Sequence, residues 1–312
     1  MVKKSLIIIL CVTIAIGSCK KKEIDEPDTH DSFAVPEDMG NGVFSLKSSV
    51  SELLVDKDQG GRISSFKFNG IELLSSKAVN PTNWGSTFWP SPQSQWNWPP
   101  PPILDRHPYI GIVEGHSLVL LSARDSVKTN YQFGKSLSAN TTRDYYNIGY
   151  SIKNTHTALQ NVAAWEITRV PSGGITFFPA GDTLWGDMKN LVSNVSGIIW
   201  YNYDAEAFTG DKKLFADGKE GWIAHARDGL VFIKTYKDIQ VADFAPSEAE
   251  IEIYINGGKT YQEIEQQGKY TGLDPNASLD WQVKWFVRKL PDNVNSELGS
   301  ASLVDFVREV VQ

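Results

Sequence analysis

Leu279-Asp-Trp-Gln-Val-Lys-Trp-Phe-Val-Arg288 is the stretch on which the fold turns. Leu279, Trp281, Val283, Trp285 and Val287 alternate with Asp280, Gln282 and Lys284. Side chains on a strand point to opposite faces in turn, so the pattern reads as a strand with one buried face. Tyr146, Ile148, Tyr150 and Ile152 repeat the alternation, as do Ile251, Ile253 and Ile255. Further strands are expected over residues 62–68, 118–123, 162–170, 197–203, 222–226 and 230–236. Turn chemistry separates them at Asp58-Gln-Gly-Gly61, Asn69-Gly70, Asp217-Gly218, Asp228-Gly229 and Asn256-Gly-Gly258. Helical spacing is confined to the end, where Leu303, Phe306, Val307, Val310 and Val311 follow Ser300 and Ser302 as candidate caps. No strand–helix–strand alternation occurs, which excludes a doubly wound fold, and no propeller-length repeat is visible. The expectation is an all-β protein of mostly antiparallel strands with a short C-terminal helix.

The first residues read as a targeting signal. Lys3 and Lys4 precede an apolar run from Leu6 to Ile16 that is too short to span a bilayer, and Ile16-Gly17-Ser18-Cys19 follows. This resembles a bacterial lipoprotein signal, and the resemblance implies cleavage of residues 1–18 and lipidation at Cys19. Residues 19–36 then read as a lipidated cysteine and a flexible tether, with Lys20, Lys21 and Lys22 solvated or touching anionic head groups. The expected location is the bacterial cell envelope, periplasmic or at the outer-membrane surface. Residues 37–312 are expected to form one β-sandwich domain. Apart from Cys11 and Cys19 the chain has no cysteine, so that domain must be held by its core alone. A formal charge of −7 gives no basis for nucleic-acid binding.

Three groups of residues could carry function. In the segment from Asn83 to Pro102, Trp84, Trp89, Trp96 and Trp98 are interleaved with prolines, which remove backbone donors and fix φ. An irregular loop is expected there, either a stiff aromatic rim that grips the apolar faces of a sugar or a plug for the protein's own core. In Tyr261-Gln-Glu263-Ile-Glu265-Gln-Gln267, residues two apart share a strand face, with the Cα atoms of Glu263 and Glu265 about 6.5–7 Å apart. If enclosed, the two carboxylates raise each other's proton affinity, and one becomes a candidate general base. The same spacing fits an exposed acidic edge. In Trp165-Glu-Ile-Thr-Arg169, both faces carry a charge, so Glu166 or Arg169 must be buried and paired, as a structural ion pair or as a ligand clamp. No histidine pair has zinc spacing, no phosphate loop or nucleophile elbow is present, and neither a metal nor a cofactor is expected.

The stretch Gly60-Gly-Arg-Ile-Ser-Ser-Phe-Lys-Phe-Asn-Gly-Ile-Glu-Leu-Leu74 resembles the opening strand pair of aldose 1-epimerase (galactose mutarotase) relatives. Tyr146 to Asn154 resembles their middle strand, and Glu263 to Gly268, with Leu273-Asp-Pro and the strand 281–287, resembles their C-terminal region. With the tryptophan segment, the pattern is most similar to the domain of unknown function 4380 family of bacterial exported proteins, within the galactose mutarotase-like superfamily. The resemblance covers roughly residues 45–292. It implies a galactose mutarotase-like β-supersandwich with a sugar-sized cleft, and a glutamate general base at Glu265, or Glu263 if the register slips. The family's histidine does not map: its place reads Trp165-Glu-Ile-Thr-Arg169, which makes Glu166 a further catalytic candidate. Arg169, Trp84, Trp89, Trp96 and Arg62 are the candidate contacts to a mono- or oligosaccharide. The function expected is that of a lipid-anchored carbohydrate-active protein, an epimerase or mutarotase-like enzyme. The alternative is a non-catalytic glycan-binding lipoprotein that uses the Trp84–Trp98 loop for stacking.

Overall fold

A computed structural model describes residues 31–312. The expected signal peptide, Cys19 and most of the tether lie outside the described residues. Phe33–Ala34 already pairs with Ala139 and Asn140, so ordered pairing begins ahead of the expected boundary at residue 37.

Every strand pairing among the described residues is antiparallel. One sheet runs from the hairpin Ile110–Glu114/Ser117–Leu121 through Tyr131–Asn140, Tyr145–Asn154, Ser278–Lys289, Leu230–Tyr236 and Trp222–Arg227. The other runs from Val43–Lys47 through Ser51–Asp56, Arg62–Phe68, Ser86–Ser91, Gln160–Pro171, Tyr261–Gln267 and Ile251–Ile255 to Lys212–Gly218. Ile175–Gly186 is long enough to serve both: its first half pairs with Trp222–Arg227, its second with Lys212–Gly218.

The alternation read from the sequence is what joins the sheets. Phe66 of the second sheet meets Tyr146, Phe232 and Trp285 of the first, with ring centroids 5.5, 5.2 and 5.6 Å apart. Such tilted and edge-on aromatic contacts bury large area and favour a single arrangement. On the outer face of the first sheet, the helix Ala301–Val311 sets Leu303, Val304 and Val307 against a second cluster that includes Phe177, Trp200, Trp222 and Phe286. Ser300 is its cap, accepting a bond from the Leu303 amide, and Ser302 lies within the helix.

Two expectations fail locally. Asp217-Gly218 closes a strand rather than forming a turn. The tryptophan segment is not irregular throughout, since Ser86–Ser91 is a fully buried strand. Proline is tolerated there because, beyond Ser86, the strand pairs on one side only, and Pro90 needs no donor on the other. A short helix, Pro102–Asp105, follows the prolines, with Pro102 in the first turn where its missing N–H costs nothing.

Candidate functional site

Five neighbouring strands of the second sheet place alternate side chains on one surface. The register sets Trp89 opposite Trp165, Ile167 opposite Glu265, Arg169 opposite Glu263, Glu265 opposite Glu252, and Glu263 opposite Tyr254. One strand further, Tyr254 faces Lys213 and Glu252 faces Phe215. A cleft of about 690 Å³ opens over this surface, lined by Trp89, Trp98, Trp165, Lys213, Phe215 and Glu263, with Asn83, Tyr254 and Asp211 at its margins. That volume lies within the range of small-molecule sites, and the mixture of aromatic walls with a few polar groups is their usual anatomy.

The two candidate glutamates have different surroundings. Glu263 lines the cleft. One of its oxygens accepts from Arg169 Nε at 2.7 Å, while its second accepts no hydrogen bond from the described residues. Arg169 is itself completely buried, with Nη1 donating to Thr87 Oγ1 at 2.7 Å and the guanidinium 5.2 Å above the Trp89 ring. The expected clamp is therefore an ion pair that holds Glu263 from behind. Glu265 is sealed beneath the floor. Its Oε2 accepts from Trp165 Nε1 at 2.8 Å and from Lys213 at 3.3 Å, and its Oε1 is buried without a partner.

Lys213 ties this floor together. Its ammonium stands 2.6 Å from Glu252 Oε2, an ion pair without hydrogen-bond alignment, and 4.9 Å over the Trp165 ring. Burial pushes the Glu265 carboxyl up to about 8; Lys213 opposes the rise and Glu252 adds to it. Glu252 is raised in the same way, burial first, to about 7. Burial would lower Lys213, but its attraction to Glu252 and then Glu265 leaves it above its ordinary value. Two sealed carboxyls facing each other across one ammonium favour retaining a proton between them.

Glu166, expected among the catalytic candidates, faces the other side of its strand and does not reach the cleft. It is completely buried between the sheets, 2.7 Å from the equally buried Lys234 ammonium. It also accepts from Tyr150 at 2.6 Å, Gln266 at 2.6 Å and Trp285 at 3.0 Å. This is the structural ion pair left open by the alternation. Arg62 is likewise inside: it lies 4.7 Å from the Trp84 ring, donates to the Trp84 carbonyl and pairs with Asp105 at 3.5 Å. Trp84 and Trp96 are buried, with Trp96 Nε1 bonded to the Pro90 carbonyl. Trp89 is buried too, its indole held by Asp105 at 2.7 Å, but one edge lines the cleft. Only Trp98 of the four is freely presented, 51% exposed. The segment is thus mainly a core plug with one exposed aromatic.

Lys213, Glu252, Tyr254 and Phe215 were missed by sequence reasoning. The signal for Glu252 was present: Glu250, Glu252 and Tyr254 alternate with Ile251, Ile253 and Ile255, so a polar face opposes the isoleucines. No cluster of three or more His, Cys, Asp or Glu able to hold a metal ion occurs among the described residues.

No family model matches the sequence, and none of the curated proteins does. Solved structures do match in shape. A galactose mutarotase related enzyme from Lactobacillus acidophilus superposes with a TM-score of 0.57 at 9% identity, covering 82% of this chain and 100% of its own. A galactose mutarotase-like protein from Lactobacillus casei gives 0.56 at 11% identity, covering 79% and 100%. A Synechocystis protein gives 0.57 at 12% identity, covering 83% and 98%. The chain therefore has the galactose mutarotase-like β-sandwich fold. At such identities the likeness establishes the fold, and function must be argued from the site.

Proposed function

We propose that this protein binds a carbohydrate in the cleft over Trp165, and that Glu263 is the carboxylate that meets it. The observation that carries the reading is the convergence of Trp89, Trp98, Trp165, Phe215 and Tyr254 around Glu263, whose outer oxygen accepts no hydrogen bond from the described residues. Aromatic faces supply apolar contact to the C–H faces of a sugar ring, and the carboxylate, Asn83 and Lys213 supply directional bonds to hydroxyls. The fold-level likeness to mutarotase-like proteins supports this as analogy. The test is calorimetric titration of the full-length protein, in a non-glycosidic detergent, with neutral mono- and oligosaccharides. Binding that weakens tenfold or more in Glu263→Gln supports the reading; no binding to any sugar overturns it.

A second reading, isomerisation at the anomeric centre, rests on one observation: the unpartnered Glu263 oxygen and the Lys213 ammonium border the same cleft. Glu263 would take the anomeric hydroxyl proton as the bond from the anomeric carbon to the ring oxygen breaks and the aldehyde forms, while the ring oxygen, hydrogen-bonded by Lys213, takes a proton from solvent. The reverse attack on the other carbonyl face gives the second anomer. Lys213 is held charged, above its ordinary pKa, and is therefore a better hydrogen-bond donor than proton donor. Polarimetry of freshly dissolved α-glucose and α-galactose decides this reading. Export and lipidation at Cys19 rest on the Ile16-Gly17-Ser18-Cys19 motif, and placement in the domain of unknown function 4380 family rests on the motifs quoted above. Metabolic labelling with a palmitate analogue, lost in Cys19→Ser, tests the anchor.

A further inference from the structure

The geometry points to a ligand longer than one sugar ring: a neutral oligosaccharide that stacks at two aromatic platforms, Trp98 at one end of the cleft and the Phe215–Trp185 pair at the other. This rests on the carbohydrate reading above.

Phe215 and Trp185 are directly opposite each other on adjacent strands, stacked with centroids 5.4 Å apart and planes 5° from parallel. Phe215 lines the cleft, and Trp185 continues the same face beyond it, 36% exposed. Two rings lying flat together on an open sheet surface extend the apolar floor past the Glu263 region. At the opposite end, Trp98 stands edge-on to Trp89, 5.8 Å away, and Trp89 stands edge-on to Trp165, 5.5 Å away. From the Trp165 strand to the Trp185 strand there are four strand spacings, about 19 Å along the sheet. Trp98 packs on Trp89, one strand further from Trp185 than Trp165 is, so a ligand that stacks on both Trp98 and Trp185 must be longer than one sugar ring. The cleft volume runs continuously from Trp98 to Phe215.

The charges argue for a neutral chain. Lys212 is paired with Asp187 at 3.5 Å, Lys213 with Glu252 and Glu265, and Arg169 with Glu263. Among the described residues, the two lysines that line the cleft and the arginine beneath it each face a carboxylate. An anionic sugar would have to break such a pair, whereas neutral hydroxyls can bond at its edges.

The test uses the full-length protein in a non-glycosidic detergent. Calorimetric titration compares monosaccharides with tetrasaccharides of the gluco, galacto, manno and xylo series, and with an oligogalacturonate. The wild type is compared with Trp185→Ala and Trp98→Ala, both checked by thermal unfolding. A neutral tetrasaccharide is expected to bind at least tenfold more tightly than its monosaccharide. Trp185→Ala should remove most of that gain while leaving monosaccharide affinity unchanged. If the gain is absent, or survives Trp185→Ala, the two-platform inference falls and the single-sugar reading stands. Preferential binding of the oligogalacturonate would overturn the neutral class. Failure of every sugar to bind would overturn the carbohydrate reading itself.

Discussion

Replacing Lys213 by methionine keeps most of the unbranched side chain and removes the ammonium that Glu252 and Glu265 share. In the folded protein Nζ stands 2.6 Å from Glu252 and 3.3 Å from Glu265. At an effective dielectric of about 20, such separations give roughly 6 and 5 kcal/mol of gross attraction. Most of that offsets the cost of taking the carboxylates out of water. The net loss is set by leaving buried carboxylate without a cation, about 3–5 kcal/mol. Its pH dependence has a definite sign. Burial has pushed Glu265 up to about 8 and Glu252 up to about 7, whereas an unfolded glutamate titrates near about 4.3. Between those values the folded chain binds more protons than the unfolded one, so the contribution of these groups to stability falls as pH rises towards 8. Removing Lys213 steepens the fall, because nothing then opposes the effect of burial. Urea unfolding of Lys213→Met should show a loss of about 3–5 kcal/mol at pH 8 and less than about 1 kcal/mol at pH 5, where both carboxyls are protonated. Adding Glu265→Gln should restore much of the loss at pH 8. An equal loss at both pH values would refute the shared-charge account and leave only lost packing.

The other expectations test placement. Trp96→Ala should cost about 3–5 kcal/mol in urea unfolding, as a buried aromatic whose indole is bonded to the Pro90 carbonyl, while Trp98→Ala should cost less than about 1 kcal/mol. Glu166→Leu should cost about 3–5 kcal/mol by stranding the buried Lys234 ammonium, and Lys234→Met on top of it should recover most of that. Neither change should alter sugar affinity in calorimetry. Burial lowers the His225 imidazole to about 3, so the unfolded chain takes up a proton there first as pH falls through about 6.5. The resulting loss of stability in acid should be visibly flatter in His225→Gln, measured by unfolding from pH 7 to pH 4.

Strands were legible wherever one face is buried against the other sheet. Arg62–Phe68, Leu230–Tyr236, Ile251–Ile255 and Tyr261–Gln267 all fall where period two placed them. The same alternation correctly separated Glu166 from Trp165 and Arg169, although it could not say which face was the cleft. Ser86–Ser91 was misread because its prolines outweighed its burial, and whether Pro90 lies on the unpaired side of a strand depends on sheet order. Lys213 was invisible for a related reason. It lies 52 residues from Glu265 in the chain, and only the strand order brings the two side chains together. Mapping the base by resemblance favoured Glu265, but Trp165 and Lys213 close over that residue and leave Glu263 facing the cleft.

That exchange of roles limits what the cleft can do. A carboxyl under the floor can store a proton and hold Lys213 in place, but it cannot touch a sugar hydroxyl unless Lys213 and Trp165 move aside. Glu263 is within reach, and one of its two oxygens is already engaged by Arg169. The cations of this surface are paired with its carboxylates before any ligand arrives, so a ligand gains mainly stacking on Trp98 and Phe215 and hydroxyl bonds at the Glu263 edge. Recognition by shape and aromatic contact therefore follows more directly from this geometry than does proton transfer.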